Sequence, residues 1–173
     1  LPIECNVKYE LDGNEITASE LVGKNGKVKI TIEYINKDAH TVNINGKDQT
    51  LYTPFVVVCG TIIDNNNNRN IEIINGKTID DGSKTTVIGI SLPGMQESLN
   101  ISKDKIDIPN TIEITMDSSD FELNNIVTYV TPKVIEESDI ELFEKMDEIY
   151  EQVDTLQSSS KQIEEGANTL KDG

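Results

Sequence analysis

The sequence predicts a mainly β fold: an immunoglobulin-like antiparallel β-sandwich, followed by a long C-terminal amphipathic α-helix of the coiled-coil type. Three observations support this. Short alternating or β-branched apolar runs recur between turn signals in the first three quarters of the chain. Asx-Gly dipeptides at Asp12, Asn45 and Asn75 are typical of tight turns between antiparallel strands. After Ser138 the apolar period becomes seven residues. We therefore predict a β-sandwich head (1–131), a linker (132–137) and a heptad-repeat helix (138–173).

The strands are predicted from apolar runs that end at turn residues. The predicted strands are Ile3–Leu11, Val28–Tyr34, Thr41–Ile44, Phe55–Ile63, Ile71–Ile74, Thr85–Leu92, Ile112–Met116 and Ile126–Val130. The run from Phe55 to Ile63 is apolar throughout, which indicates a strand buried on both faces. Roughly seven to nine strands in a head of this size are typical of an immunoglobulin-like sandwich, although the chain has no Trp and no antibody-type Cys-Trp-Cys spacing.

Two short helical segments interrupt the strands. Thr17 and Glu20 have capping-box spacing, in which each side chain accepts a hydrogen bond from an exposed backbone N–H. Gly23 is expected to end that turn. Residues Met95 to Leu99 are predicted to form the second.

The long helix is predicted to begin at a second capping box, Ser138-Asp139-Ile140-Glu141. One helix of this length would extend roughly 50 Å. Glycines that recur at a fixed heptad position favour close approach of another helix. The same stripe also fits a helix that packs along its own head. The residues of this predicted association seam are Leu142, Met146, Ile149, Val153, Leu156, Ile163, Gly166, Ala167, Leu170 and Gly173.

Charge and cysteine content narrow the possible partners. The net charge of −16 would repel phosphate backbones, so nucleic-acid binding is not expected. No apolar run approaches the roughly 20 residues of a membrane helix, so membrane contact is expected only through segments outside these residues. Cys5 and Cys59 are predicted to be free and buried, because nothing in their spacing requires a disulfide.

The sequence contains no recognisable reaction centre, and we predict no catalytic residue and no cofactor. The single histidine, His40, lies in a turn-like segment, whereas a hydrolytic triad needs a base beside a nucleophile. Zinc-type Cys and His pairs are absent. Carbohydrate-binding sandwiches commonly use aromatic faces, and only Tyr52 and Tyr129 remain as candidates for that role.

One segment has the alternating oxygen spacing of a calcium loop, at Asp64, Asn66 and Asn68. Arg69 stands where such a loop requires glycine, and the twelfth position is Asn75 instead of Glu. An Asn-rich hairpin loop explains the same residues, so we predict no metal and keep calcium as a weak alternative.

The C-terminal heptads resemble a known repeat. Ile163-Glu164-Glu165-Gly166 and Leu170-Lys171-Asp172-Gly173 resemble the Leu-x-x-Gly heptad repeats of Gram-positive surface proteins, in particular the phage infection protein (YhgE/Pip) group. Leu156-Gln157-Ser158-Ser159 departs from the motif, with Ser in place of Gly. Segments of the head are similar to extracellular heads that precede such repeats: Tyr9–Gly13, Glu20–Val28, Leu92–Glu97 and Asp107–Pro109.

The resemblance implies an extracellular region, a repeat stalk that continues beyond Gly173, and membrane anchoring elsewhere in the full protein. It transfers no catalytic residue. The leading hypothesis is a non-enzymatic structural or adhesion module, displayed on a stalk that associates with other helices. The alternative is a glycan- or protein-binding sandwich in which the helix is only a connector, and an enzyme is the third possibility.

Overall fold

The computed structural model describes residues 1–44 and 46–132, and this part of the chain is mainly β, as predicted. Its eleven strands are β1 (Ile3–Leu11), β2 (Asn14–Ile16), β3 (Gly26–Asn36), β4 (Ala39–Ile44), β5 (Lys47–Tyr52), β6 (Val56–Asp64), β7 (Asn68–Ile74), β8 (Gly76–Asp80), β9 (Lys84–Ser91), β10 (Thr111–Ser118) and β11 (Val127–Thr131). Two short helices are α1 (Ala18–Leu21) and α2 (Met95–Leu99).

The strands form two larger sheets and one separate hairpin. The five-stranded sheet has the order β2-β1-β3-β10-β7, and the four-stranded sheet has the order β11-β6-β9-β8. Strands β4 and β5 pair only with each other. All of these neighbours are antiparallel. The chain passes from the four-stranded sheet (β6) to the five-stranded sheet (β7) and returns (β8). It crosses again from β9 to β10 and returns at β11.

The two larger sheets share one apolar core. Strand β3 alternates buried and partly exposed residues from Val28 to Asn36, as expected when one face of a strand meets the interior. The buried cluster combines side chains from the five-stranded sheet with Val57, Cys59 and Ile63 of β6 and Val87 of β9. Five consecutive residues of β6, 57–61, are buried, which confirms the expectation that this strand is covered on both faces.

The sheets approach each other closely where Gly89 of β9 faces Ile112 of β10. A methyl group at Gly89 would stand 2.7 Å from both Cδ1 and Cγ2 of Ile112. Because real side chains essentially never come so close, β9 needs glycine at this position to let Ile112 enter the core.

The predicted strands are confirmed with small shifts at their ends, but three observed strands were not predicted. These are β2, β5 and β8: β2 directly follows the Asp12-Gly13 turn, β5 begins just after Gly46, and β8 begins at Gly76. Their sequences are short or rich in polar residues, so apolar alternation is weak, and pairing with a neighbouring strand decides their structure. At the first turn, Asp12 and Gly13 both have positive φ, 51° and 81°, as a two-residue hairpin turn requires.

The expectation of a hairpin at Asn75-Gly76 is wrong. Strand β7 ends in the five-stranded sheet, whereas β8 begins in the four-stranded sheet. The left-handed conformation of Asn75, with φ of 64°, therefore redirects the chain from one sheet to the other.

Both short helices are confirmed. The capping box is complete: Thr17 accepts from the backbone N–H of Glu20 at 3.4 Å, and the Glu20 carboxylate accepts from the backbone N–H of Thr17 at 3.3 Å. The residue that ends the second helix, Asn100, is left-handed. None of the helices in the described part of the chain has the length and hydrophobicity that a membrane span needs.

The predicted helix 138–173, with its association seam, and all of the predicted linker except Pro132 lie outside the described residues. Both remain predictions.

The close approach of the sheets can be tested with Gly89 and Ile112. We expect Gly89→Ala to lower the free energy of unfolding by about 1–3 kcal/mol, because the added methyl overpacks the core. Ile112→Ala should cost about 2–5 kcal/mol by leaving a cavity. In the double variant the new methyl occupies part of that cavity, so the loss measured by urea unfolding should be smaller than the sum by about 1 kcal/mol or more. Additive losses would contradict the contact.

Candidate binding cleft

A polar cleft lies where the edge strands of the two sheets meet. Its volume is about 410 Å³, and its walls come from β7, β8, the β6–β7 turn and the first part of β9. It arises because the chain crosses between sheets at Asn75, so that β7 and β8 leave their outer edges on the same side of the sandwich. The lining residues are Asn65, Asn68, Arg69, Asn70, Ile71, Thr78, Asp80 and Thr85.

Asn65 fixes three elements around the cleft. Its Nδ2 donates to Oδ1 of Asp80 on β8 at 2.8 Å, and its Oδ1 accepts from the hydroxyl of Thr85 on β9 at 2.8 Å. Its backbone N–H donates to the carbonyl of Ser83 at 2.8 Å. Both ends of the amide are therefore used to hold the β6–β7 and β8–β9 turns together.

The β8–β9 turn is further fixed by two carboxylates. Asp80 Oδ1 accepts from the Gly82 N–H at 2.7 Å. Asp81 Oδ1 accepts from the N–H groups of Lys84 and Ser83 at 2.7 and 2.8 Å. These backbone hydrogen bonds hold the pKa of the Asp81 carboxyl below its usual value, so it stays ionised at neutral pH.

Asn68 is buried in the wall of the cleft with one polar atom unused. The residue is 6% exposed, and its Nδ2 donates to the backbone carbonyl of Asp64 at 2.8 Å. Its Oδ1 has no hydrogen-bond partner within the described residues. The hydroxyl of Ser118, its pairing partner on β10, is likewise unpartnered there. Asn68 Oδ1 and the Ser118 hydroxyl are both shielded from solvent, so they form an unsatisfied buried pair within the β7–β10 pairing and are not groups that the cleft exposes.

The only arginine of the sequence, Arg69, also lines the cleft. Among the described residues, no carboxylate lies within ion-pair distance of its guanidinium. Beside it, Asn70 is left-handed at an irregularity in the β7–β10 pairing, and its Nδ2 donates to Asp117 at 2.7 Å. The cleft thus combines guanidinium, carboxylate, amide and hydroxyl groups around one apolar side chain, Ile71.

The weak calcium candidate falls in the loop at one end of the cleft. Asp64 Oδ1 accepts from the backbone N–H of Asn66 at 2.7 Å, and Asn68 bonds to the backbone carbonyl of Asp64. These are local hydrogen bonds typical of an Asn-rich turn. The predicted hairpin is wrong, because β6 and β7 belong to different sheets. In residues 1–44 and 46–132, no three His, Cys, Asp or Glu side chains gather as metal ligands would.

His40 lies away from the cleft, on the separate hairpin. Its Nε2 is 3.1 Å from Asp38 Oδ1 and 3.3 Å from Thr53 Oγ1. A triad needs the acid on one ring nitrogen and the nucleophile on the other, whereas here one nitrogen faces both. This geometry does not form a hydrolytic relay.

The cysteines are both free, but only one of them is buried. Burial raises the pKa of Cys59 to about 11, so this core thiol is protonated at neutral pH. The predicted burial is wrong for Cys5, which is exposed. Strand β2 pairs only with Tyr9, Glu10 and Leu11, so the Cys5 end of β1 is the edge of its sheet.

The aromatic candidates do not belong to the cleft. Tyr52 contacts the backbone at Gly94, where an added methyl would stand 2.7 Å from its ring. Tyr129 on β11 is 46% exposed and lies in the strand at the opposite end of its sheet from β8. No periodic pattern along the chain marks the cleft, because its residues belong to two sheets. An isolated Arg within an Asn-rich loop was the available indication.

Comparison with protein-family models, curated proteins and solved structures finds no match for this chain. The geometry and the sequence pattern therefore carry the functional argument by themselves.

The hydrogen bonds of Asn65 lead to a stability prediction. Asn65→Ala should lower the free energy of unfolding by about 1–3 kcal/mol, because the buried Thr85 hydroxyl loses its acceptor and the two turns lose their link. Chemical denaturation provides the measurement.

The matched control is Asn66→Ala in the same loop, whose exposed side chain makes no hydrogen bond within the described residues. It should change stability by less than about 0.5 kcal/mol. Equal losses for the two variants would show that Asn65 does not link the turns.

Proposed function

We propose that this chain is a non-enzymatic adhesion module of a bacterial surface protein, with a β-sandwich head displayed on a helical stalk. The observation that carries the proposal is the cleft between β7 and β8. Three of its polar side chains, Asn65, Asp80 and Thr85, are fixed in place by hydrogen bonds, as in binding sites that are formed before the ligand arrives.

The chemistry of the lining favours binding over reaction. Catalysis of acyl or glycosyl transfer needs a nucleophile with an adjacent base, or two cooperating carboxylates. The lining residues that the structure describes include one carboxylate, Asp80, and it is already bonded to Asn65 and Gly82. Amides, hydroxyls and a guanidinium are groups that orient a ligand through hydrogen bonds.

We further propose that the head belongs to the immunoglobulin-like class of sandwiches. Two antiparallel sheets around one core, joined by connections that cross between them, support this assignment. The hairpin formed by β4 and β5 is an addition to the two sheets.

The stalk is proposed from the association seam in residues 138–173. Its seven-residue apolar repeat, with Gly166 and Gly173 at one edge, supports contact with other helices, either in a homo-oligomer or along further stalk repeats. The Leu-x-x-Gly resemblance supports an extracellular location, with membrane anchoring through segments outside these residues.

A charge substitution in the seam tests the stalk. In the 173-residue chain, Val153→Asp with Leu156→Asp should abolish self-association, because the proposed helix contact would have to desolvate a carboxylate at each of these two seam positions. We expect a concentration-dependent increase in mass by light scattering for the unmodified chain and a monomeric mass for the double variant.

The control, Thr155→Asp with Ser158→Asp, adds the same charge on the opposite face of the predicted helix and should associate like the unmodified chain. A monomeric unmodified chain at high concentration would favour the second candidate, a ligand-binding head for which the helix is only a connector. The cleft is the observation that supports that candidate.

A further inference from the structure

We infer that the cleft between β7 and β8 binds a neutral, hydroxyl-rich ligand about the size of one sugar ring. The inference deepens the proposed function and rests on its claim that the head binds rather than reacts. The internal hydrogen bonds of the cleft leave several polar groups unused, and these groups determine which ligand fits.

One acceptor in the cleft is unused by the described residues and open to a ligand. Asp80 Oδ1 accepts from Asn65 Nδ2 and from the Gly82 N–H, which leaves Oδ2 available. Asp80 is exposed, so a ligand hydroxyl can donate to this oxygen in place of water, and a hydrogen bond to a charged carboxylate is stronger than a neutral one.

Donors are available in the same cleft. The Arg69 guanidinium carries five N–H groups and has no described ion-pair partner. The Thr78 hydroxyl on β8 makes no hydrogen bond within the described residues and can donate or accept. A ligand must therefore present donors and acceptors close together, which is what vicinal hydroxyl groups do.

Charge excludes strongly ionic alternatives. An anion would meet Arg69, but it would also meet the carboxylate of Asp80, and Asp117 lies on the strand that pairs with β7. A cation would be repelled by the guanidinium. A neutral ligand gains hydrogen bonds from both charged groups without net repulsion, and such charge-assisted bonds are about twice as strong as neutral ones.

Size and apolar content agree with a single ring. The volume of about 410 Å³ is at the lower end of small-ligand pockets. Ile71 offers a C–H surface to one face of a ring, and no aromatic side chain lines the described cleft. Since aromatic stacking is missing, we expect a dissociation constant of order 1 mM.

The test is a titration of the isotope-labelled full chain with uncharged methyl glycosides of glucose, galactose, mannose and N-acetylglucosamine, followed by amide NMR shifts. At least one glycoside should give saturable shifts confined to residues 65–71 and 78–85. Methyl glucuronide, which adds a carboxylate, should bind more weakly. Absence of saturable shifts in the cleft for all four sugars up to about 100 mM, or a preference for the glucuronide, would overturn the inference.

Matched variants locate the site. Thr78→Val and Arg69→Gln should each weaken the best glycoside about three- to tenfold, because each removes a hydrogen bond. Thr86→Val on β9 makes the same change as Thr78→Val, and Lys47→Gln on β5 likewise replaces a cation with an amide; both lie outside the cleft and should leave affinity within about twofold. If Thr78→Val and Arg69→Gln bind the glycoside as tightly as both controls, the inference of a sugar site is also overturned.

Light scattering on the same samples measures association of the stalk independently. If the cleft shows no glycoside shifts while the chain still self-associates, only the sugar-site inference fails and the proposed stalk stands.

Discussion

The head depends on the close packing of two unequal sheets around one core. Strands β3 and β10 present alternate apolar side chains to β6 and β9. Because Gly89 has no side chain, Ile112 can enter the core between the sheets. Burial at this density is the main favourable contribution to a fold of this size. The positions of the sheet edges, and therefore of the cleft, follow from how these central strands are aligned.

The cleft is a consequence of topology combined with local hydrogen bonding. Because β7 and β8 are consecutive in sequence but belong to different sheets, their edges meet and leave a recess between them. Asn65 and Asp80 then fix the adjoining turns, so the recess has a defined shape before any ligand enters. The binding groups that remain, which are Asp80 Oδ2, the Arg69 guanidinium and the Thr78 hydroxyl, are those that the described part of the fold does not use.

The sequence predicted most of the strands because apolar alternation is local, as in Val28 to Tyr34. It missed β2, β5 and β8, whose polar residues form strands only because a neighbour supplies the pairing. The exposure of Cys5 was missed for the same kind of reason, since it depends on how far β2 extends. The cleft depends on contacts between sheets, and no periodic signal along the chain records those.

The most direct test of the packing is a methyl-labelled NMR measurement on the full chain. If the two sheets share one core as described, the δ1 methyl of Ile112 should show a strong nuclear Overhauser effect to the α protons of Gly89, because these groups are in van der Waals contact. If that effect is absent while Ile112 still shows contacts to Ile32 across its own sheet, the sheets do not pack in this register and the position of the cleft would be wrong.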